Sequence, residues 1–319
     1  MIKVKINPSP IIVVAGPTAS GKSALAINIA ERFGGEIVNA DSMQIYQELR
    51  VLTARPGPDD EARVAHHLYG TLSIAEICSA GLWLEAALGA ITAIRARGNL
   101  PVICGGTGLY IKVLMEGIAP VPEVPSDIVD DARRLYAQLG GAAFKARLAN
   151  LDPDAAERLA EGDGQRLLRA YGVVKATGRT LTDWQNDQPI KPPLDAQFLK
   201  IVLTPPRQAL YANINTRFET MVEAGALDEV AALMRLDLQP GLPAMKALGV
   251  PDFIRHLRGE GTLEDAVDKA KQATRNFAKR QSTWFRHQIT ADLAVEDFGA
   301  AAWHTAEPTV RDFLNVGKA

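Results

Sequence analysis

Ile11 to Ala15 is an unbroken apolar run that ends on Gly16. A run this short, closed by a glycine turn, predicts a strand buried on both faces. Ala24 to Arg32 then carries a helical pattern, with Gly34-Gly35 as its stop. Glu36 to Ala40 predicts a second strand and Pro101 to Cys104 a third. Between these two strands, Ala80 to Ala96 predicts a helix whose apolar face is Leu82, Leu84, Ala87, Leu88, Ile91 and Ile94, closed by Gly98-Asn99. Strands alternating with helices predict an α/β fold on a parallel sheet. Thr53 to Glu61, rich in proline and charge, reads as a loop leading to His66-His67.

The pattern changes at the proline-rich segment from Pro120 to Pro125. Helices are predicted over Asp127 to Leu139, Ala142 to Leu148, Pro153 to Leu159 and Gln165 to Thr177, with no strand among them. A second hinge, Pro189 to Pro193, precedes renewed strand character at Phe198 to Leu203. The chain therefore divides into an α/β core over 1–122 and 197–319 and an inserted all-helical domain over 123–196. Leu210 to Arg235 is helical with a break at Gly225, and a long helix runs from Leu263 to His287.

Composition adds limits rather than identity. The 319 residues are 47% hydrophobic and 23% charged, as in ordinary globular proteins. No apolar run approaches the roughly 20 residues of a membrane helix, and the N-terminus lacks the apolar region of a signal peptide. A cytoplasmic protein is expected. Cys78 and Cys104 are too few for a disulfide framework and lack metal-ligand spacing, so Cys104 reads as a buried thiol. With a net charge of −2, any nucleic-acid partner must meet a local basic surface.

The turn after the first strand, Gly16-Pro17-Thr18-Ala19-Ser20-Gly21-Lys22-Ser23, fits the G-x-x-x-x-G-K-[S/T] phosphate loop in the required strand-turn-helix context. Its backbone N–H groups and helix N-terminus present positive potential to phosphate, Lys22 adds a full charge, and the Ser23 hydroxyl is a ligand for Mg²⁺. Asp41 follows the second strand, where open α/β sheets bind ligands. It reads equally as a site residue or as the cap of a helix beginning at Met43. Gly105-Gly106-Thr107-Gly108-Leu109-Tyr110 follows the third strand, where a nucleotide-hydrolysing enzyme would carry a Walker-B aspartate. Its glycines suit close approach of a ligand, with the Thr107 hydroxyl beside it. Arg217 falls on the margin of the stripe of Leu210, Ile214, Phe218 and Met221, which predicts a half-buried arginine able to pair with an anion. On the last long helix Ala270, Ala273, Phe277 and Trp284 form an apolar side. Lys271, Arg275, Lys279 and Arg286 lie nearly opposite, flanked by Lys269 and Arg280, a pattern equally suited to a phosphodiester backbone or to plain solvated surface. Arg166 and Arg169 share one face in the insertion, and His66-His67 reads as structural because adjacent histidines diverge.

Taken in order, these motifs, with Gln165-Arg166, Pro243-Ala244-Met245-Lys246 and Lys279 to Arg286, resemble the tRNA dimethylallyltransferase (isopentenyl-tRNA transferase) family over nearly the whole chain. The resemblance implies a P-loop nucleoside-triphosphate-hydrolase-like core and transfer of a dimethylallyl group from dimethylallyl diphosphate to the exocyclic amine of the adenine 3′ of the anticodon. It implies that Gly16 to Ser23 hold the diphosphate with Mg²⁺ on Ser23, and that Asp41, Thr107 and Arg217 are catalytic, Asp41 as general base. It assigns the anticodon stem-loop of tRNA to Asp41, Ser42, Met43, Gln44, Gln165, Arg166, Leu167, Leu168, Arg169, Lys279, Arg280 and Gln281, in a monomer without membrane contact. The chain departs from the family pattern at Arg55, where lysine is usual, at Tyr69-Gly70, where a pair such as Ile-Asp is usual, and at Val250, where tyrosine is usual. Alternatives from other classes are an ATP-dependent small-molecule kinase and a non-catalytic P-loop switch or RNA-binding module; a nearer one is an adenylate isopentenyltransferase acting on a free nucleotide.

Overall fold

In the computed structural model, which describes residues 9–187 and 190–315, the alternation of runs and turns becomes a six-stranded sheet. Its strands are β1 (Ser9–Ala15), β2 (Gly35–Asn39), β3 (His66–His67), β4 (Leu100–Gly105), β5 (Ala196–Leu203) and β6 (Leu293–Val295). They lie in the order β3-β2-β4-β1-β5-β6 and all pair in parallel. β1 is flanked by β4, with Ala15 opposite Gly105, and by β5, with Ala15 opposite Val202.

Alternation along the strands decides which side chain meets which layer. Ile11, Val13, Ala15, Val38 and Ile103 point into one core, with α3 (Ala80–Ala96), α4 (Gly108–Glu116), α9 (Arg207–Glu223), α10 (Ala226–Met234), α11 (Val250–Leu257) and α12 (Leu263–Gln288). Ile12, Val14, Ile37, Val102 and Cys104 point into the other, with α1 (Lys22–Phe33) and α13 (Gly299–Phe313). A parallel sheet covered on both faces explains why its strands read as continuous apolar runs. The break at Gly225 is a left-handed residue, φ 96°, that separates α9 from α10.

Three local expectations are corrected and a fourth, the structural reading of His66-His67, gains its partners. The loop over Thr53 to Glu61 gives way to a short helix, α2 (Pro58–Arg63), started by its proline. No helix begins at Met43; residues 41–56 form turns and a single bridge, Tyr46 to Leu72. His66-His67 becomes the edge strand β3, with His67 Nε2 2.6 Å from Glu36 Oε2 and His66 Nδ1 2.9 Å from the Val64 carbonyl, a structural arrangement. Residues 192–196 belong with the core, because β5 begins at Ala196.

The helical unit is compact by itself over Glu116–Lys191. It holds α5 (Ser126–Ala149), α6 (Pro153–Arg158), α7 (Gly164–Thr177) and α8 (Leu181–Asn186) around Phe144, Leu148, Leu167, Ala170 and Tyr171. The two helices expected over 127–148 are both present within α5, separated at Gly140, whose φ 73° and ψ 170° are not helical. Pro189, part of the second hinge, lies outside the described residues. Among the described residues no helix is long and apolar enough to cross a membrane.

Candidate active site

The carboxyl ends of β1, β2 and β4 carry the three sequence motifs side by side. β1 runs into Gly16, whose φ of 154° and close approach to the Leu203 carbonyl, 3.0 Å from a hypothetical Cβ, would make any side chain strained and tightly packed. Ala19 and Gly21 are both left-handed, φ 62° and 86°, and turn the chain into α1. Gly21 is the N-cap and donates no side-chain cap, so the first amides of α1 stay open to an anion. Ser20 Oγ is buried without a hydrogen-bond partner among the described residues.

Lys22 is 8% exposed, with Nζ 3.4 Å from the Pro17 carbonyl. Burial pushes its ammonium below the ordinary range; the Asp41 carboxylate opposes this and Arg217 adds to it. Arg217, half-buried on α9 as its place on the stripe predicts, is depressed by the same loss of water and supported by Asp41. Two cations are thus held near one carboxylate and short of solvent. An anionic ligand would complete that charge balance. Cys104, at the end of β4, is buried as expected, its thiol raised to about 11 chiefly by burial.

Asp41 is held by neighbours that sequence reasoning overlooked. Its backbone N–H donates to Asn39 Oδ1 at 2.8 Å, while Asn39 Nδ2 donates to the carbonyls of Asp41 and Leu68, both at 3.0 Å. Asn39 is fully buried, and Trp83 Nε1 donates to its carbonyl at 2.8 Å. The overlooked signal was an amide side chain at the end of an apolar strand, where only a polar task justifies burial. Asp41 Oδ1 accepts from the Met43 N–H at 3.0 Å, so Asp41 both caps a turn and faces the two cations. Thr107 Oγ1 accepts from the Ser42 N–H at 2.9 Å and donates to Ser42 Oγ at 3.2 Å, tying the β4 turn to the β2 turn.

The loop from β2 is braced along its length. The Glu229 carboxylate accepts the N–H groups of Arg50, Val51 and Leu52 at 2.7 to 3.0 Å. Gln44 Nε2 donates to the Thr53 and Ala54 carbonyls, which gives this side chain a structural partner. Arg55 Nη1 donates to the Tyr46 and Gln47 carbonyls, and its guanidinium fills the space a Gly70 side chain would need. Two of the departures, Arg55 and Gly70, thus stand against each other in space. Val250 is fully buried at the start of α11.

The glycines of the β4 turn were expected to admit a ligand. Each also admits protein, while Gly106 and Gly108 line the cavity beside this turn. A Cβ on Gly105 would strike the Ala40 backbone, on Gly106 the Gln281 amide, and on Gly108 the Trp284 ring. The face of α12 is corrected accordingly: Ala266, Ala270, Thr274, Ala278, Gln281 and Phe285 are buried, whereas Phe277 and Trp284 are only half-buried. Those two aromatics, with Arg280, Ser42, Thr107 and Leu109, line a 260 Å³ cavity beside the β4 turn. Lys279, Arg280 and Trp284 also line an adjoining 470 Å³ groove. Lys271 and Arg275 are not free stripe residues, since Lys271 pairs with Glu219 at 2.7 Å and Arg275 donates to Asn215 and Gln272. Gln281 is a buried tie and not a surface contact: it is 6% exposed and hydrogen-bonded to Thr18 and Gly106. In the helical unit Leu167 is fully buried in its core and Leu168 packs beside it, whereas Gln165, Arg166 and Arg169 are exposed.

The fit of a divalent cation depends on oxygen donors. Among the described residues no group of three or more His, Cys, Asp or Glu could hold a metal ion. Ser23, an exposed residue, stands next to Lys22 at the start of α1, with its side chain hydrogen-bonded to the Cys104 thiol. One hydroxyl plus substrate phosphate oxygens is a donor set that suits Mg²⁺.

Comparison with known proteins gives the family. The IPP transferase family model matches residues 44–288, and the isopentenyl transferase model matches residues 9–69. A tRNA dimethylallyltransferase of Rhodospirillum rubrum is 53% identical over 289 residues, covering 91% of this chain and 89% of that protein. One from Rhodospirillum centenum is 54% identical over 282 residues, covering 88% and 90%. Among solved structures, a eukaryotic dimethylallyltransferase acting on tRNA superposes with a TM-score of 0.80 at 25% identity, covering 96% of this chain and 80% of that one. The tRNA isopentenylpyrophosphate transferase of Bacillus halodurans does so at 0.68 and 28% identity, covering 98% and 100%.

Proposed function

The chain belongs to the IPP transferase family, and on that premise we propose that it transfers a dimethylallyl group from dimethylallyl diphosphate to N6 of the adenine 3′ of the anticodon in tRNA, in the cytoplasm and as a monomer. The observation that carries this reading is the meeting of Asp41, Lys22 and Arg217 at the carboxyl ends of the central strands. The core around Gly16 to Ser23 is then a P-loop that holds a diphosphate. The open first amides of α1, the unpartnered Ser20 hydroxyl and two water-poor cations support an anionic, oxygen-rich ligand there.

In the reaction the allylic C–O bond breaks, the electron pair leaves with the diphosphate, and the exocyclic nitrogen forms the new C–N bond. Lys22, Arg217 and the loop amides stabilise the charge gathering on the leaving group. Mg²⁺, held by Ser23 and phosphate oxygens, would supply further neutralisation of that charge. An aromatic amine is a weak nucleophile, and Asp41 accepts the proton it loses. Thr107, bonded to Ser42, keeps the β2 and β4 turns in register around that carboxylate. No γ-phosphate is cleaved, which accounts for glycine and threonine standing where a Walker-B aspartate would.

The adenine leaves its stack to reach this site, as a base must when chemistry is done on it. Phe277 and Trp284 offer flat apolar walls beside Thr107, and Lys279 and Arg280 offer charge for the backbone. Ser42 lines this mouth, Met43 and Gln44 follow it on the β2 turn, and the exposed Gln165, Arg166 and Arg169 of the helical unit are assigned contacts to the anticodon stem-loop. Incubation of purified protein with tRNA, Mg²⁺ and dimethylallyl diphosphate, then mass spectrometry of the tRNA nucleosides, should reveal N6-dimethylallyladenosine only when all three are present. Alkylation of free AMP but not of tRNA, or phosphoryl transfer from ATP, would replace this reading.

A further inference from the structure

Gln281 is a carboxamide on α12 that reaches two segments remote in sequence. Its Oε1 accepts the N–H of Thr18, 263 residues away, at 2.9 Å, and its Nε2 donates to the Gly106 carbonyl, 175 residues away, at 2.8 Å. It is 6% exposed, and its neighbours one turn away on α12 are Phe277, Ala278, Trp284 and Phe285, none of which offers a polar side chain, so its burial is justified by those two bonds. Gly106 lacks the Cβ that would displace the amide. Glutamine is the side chain that offers one acceptor and one donor at this reach; a carboxylate lacks the donor and a methionine lacks both.

The same helix presents Lys279, Arg280 and Trp284 to the groove next to Gln281. We propose that Gln281 is a positioning residue that couples the nucleic-acid-facing side of α12 to the loop of Gly16 to Ser23, so that docking of the stem-loop on α12 sets the loop amides and the Thr107 turn in their reactive register. This rests on the function proposed above and adds to it a route by which the acceptor organises the donor site. Thr18 lies in the loop and Gly106 directly precedes Thr107, so a shift of α12 moves both halves of the site through one side chain.

The test uses the full-length protein and an anticodon stem-loop. In the wild type, stem-loop binding should slow hydrogen–deuterium exchange of the peptide spanning residues 16–23. Q281M keeps the volume and removes both bonds; it should bind the stem-loop within about twofold of wild type, lose that protection, and lose about tenfold or more in kcat at saturating substrates with little change in KM. G106A should behave alike by displacing the amide, and it carries the test if Q281M does not fold. Q281E supplies a second signature. Its carboxyl can donate to Gly106 only when protonated, so its kcat relative to wild type should rise as the pH is lowered. Wild-type kcat in folded Q281M or G106A, or loss of activity matched entirely by loss of folded protein, would overturn the coupling. Wild-type protein that neither binds the stem-loop nor alkylates it would instead overturn the proposed function.

Discussion

Glu36 and Asp41 stand at opposite ends of β2, and replacing the first should separate the carboxylate that holds the fold from the one assigned to chemistry. Glu36 is 5% exposed and is bonded by Arg97 Nε and Nη2 at 2.9 and 2.7 Å, by Asn99 Nδ2 at 2.7 Å and by His67 at 2.6 Å. The Arg97 bonds, then those from Asn99 and His67, hold its carboxyl at about 2 against an ordinary 4.5. That gap of about 2.5 pH units, at about 1.36 kcal/mol each, sets an upper bound near 3.4 kcal/mol on the charged form's contribution. Arg97 is 48% exposed, so solvent screening brings the expected value to about 2 kcal/mol.

Because the folded carboxyl is depressed, the stabilisation is fully present above about pH 4.5 and is lost as the pH falls toward about 2, where the carboxyl is protonated in both states. Urea unfolding of E36Q beside wild type should therefore show a deficit of about 2 kcal/mol at neutral pH that shrinks steadily below about pH 4.5. Alkylation by the fraction of E36Q that remains folded should match wild type. A deficit below about 0.5 kcal/mol, or one unchanged down to about pH 3, would refute the assignment of this carboxylate as the clasp of β2, β3 and the α3–β4 turn.

D41A should lower single-turnover alkylation by about 10²-fold or more with little change in tRNA affinity, and near-normal turnover would reduce Asp41 to the cap of its turn. Removing that carboxylate also takes away the support that opposes desolvation of Lys22, so what diphosphate binding remains should decline at lower alkaline pH than in the wild type. K22A should weaken use of dimethylallyl diphosphate, and chelation of Mg²⁺ should halt the wild-type reaction; full activity in either case would remove the P-loop from the chemistry. Replacing Lys279 and Arg280 with glutamine, both on the exposed face of α12, should flatten the salt dependence of stem-loop binding by nearly one log–log unit for each phosphate left without its cation, whereas K271Q should do little because that lysine is already paired with Glu219.

The local order of strand, glycine turn and helix was legible in the sequence because it is written in adjacent residues: an apolar run, a turn that tolerates left-handed backbone, and a periodic stripe. Gly16 to Ser23, Asp41 and Thr107 could be placed near one another from the rule that parallel sheets gather ligands at their carboxyl ends, and Arg217 could be read as half-buried from its place on a stripe. The orientation of α12 could not be read this way. Its buried face holds three alanines, a threonine, Gln281 and Phe285, while Phe277 and Trp284 are only half-buried at a cavity, so the most hydrophobic side, which shares Ala270 with the buried face, lies rotated from it. The glycines of the β4 turn carried the same ambiguity, since the space a missing Cβ leaves does not say what fills it; Ala40, Gln281 and Trp284 do, and all lie far along the chain. Local pattern determines elements because backbone geometry has short periods. Which face docks, and which polar side chain becomes a buried tie, is decided by partners from distant segments, whose shape and hydrogen-bonding groups meet only when the tertiary structure forms.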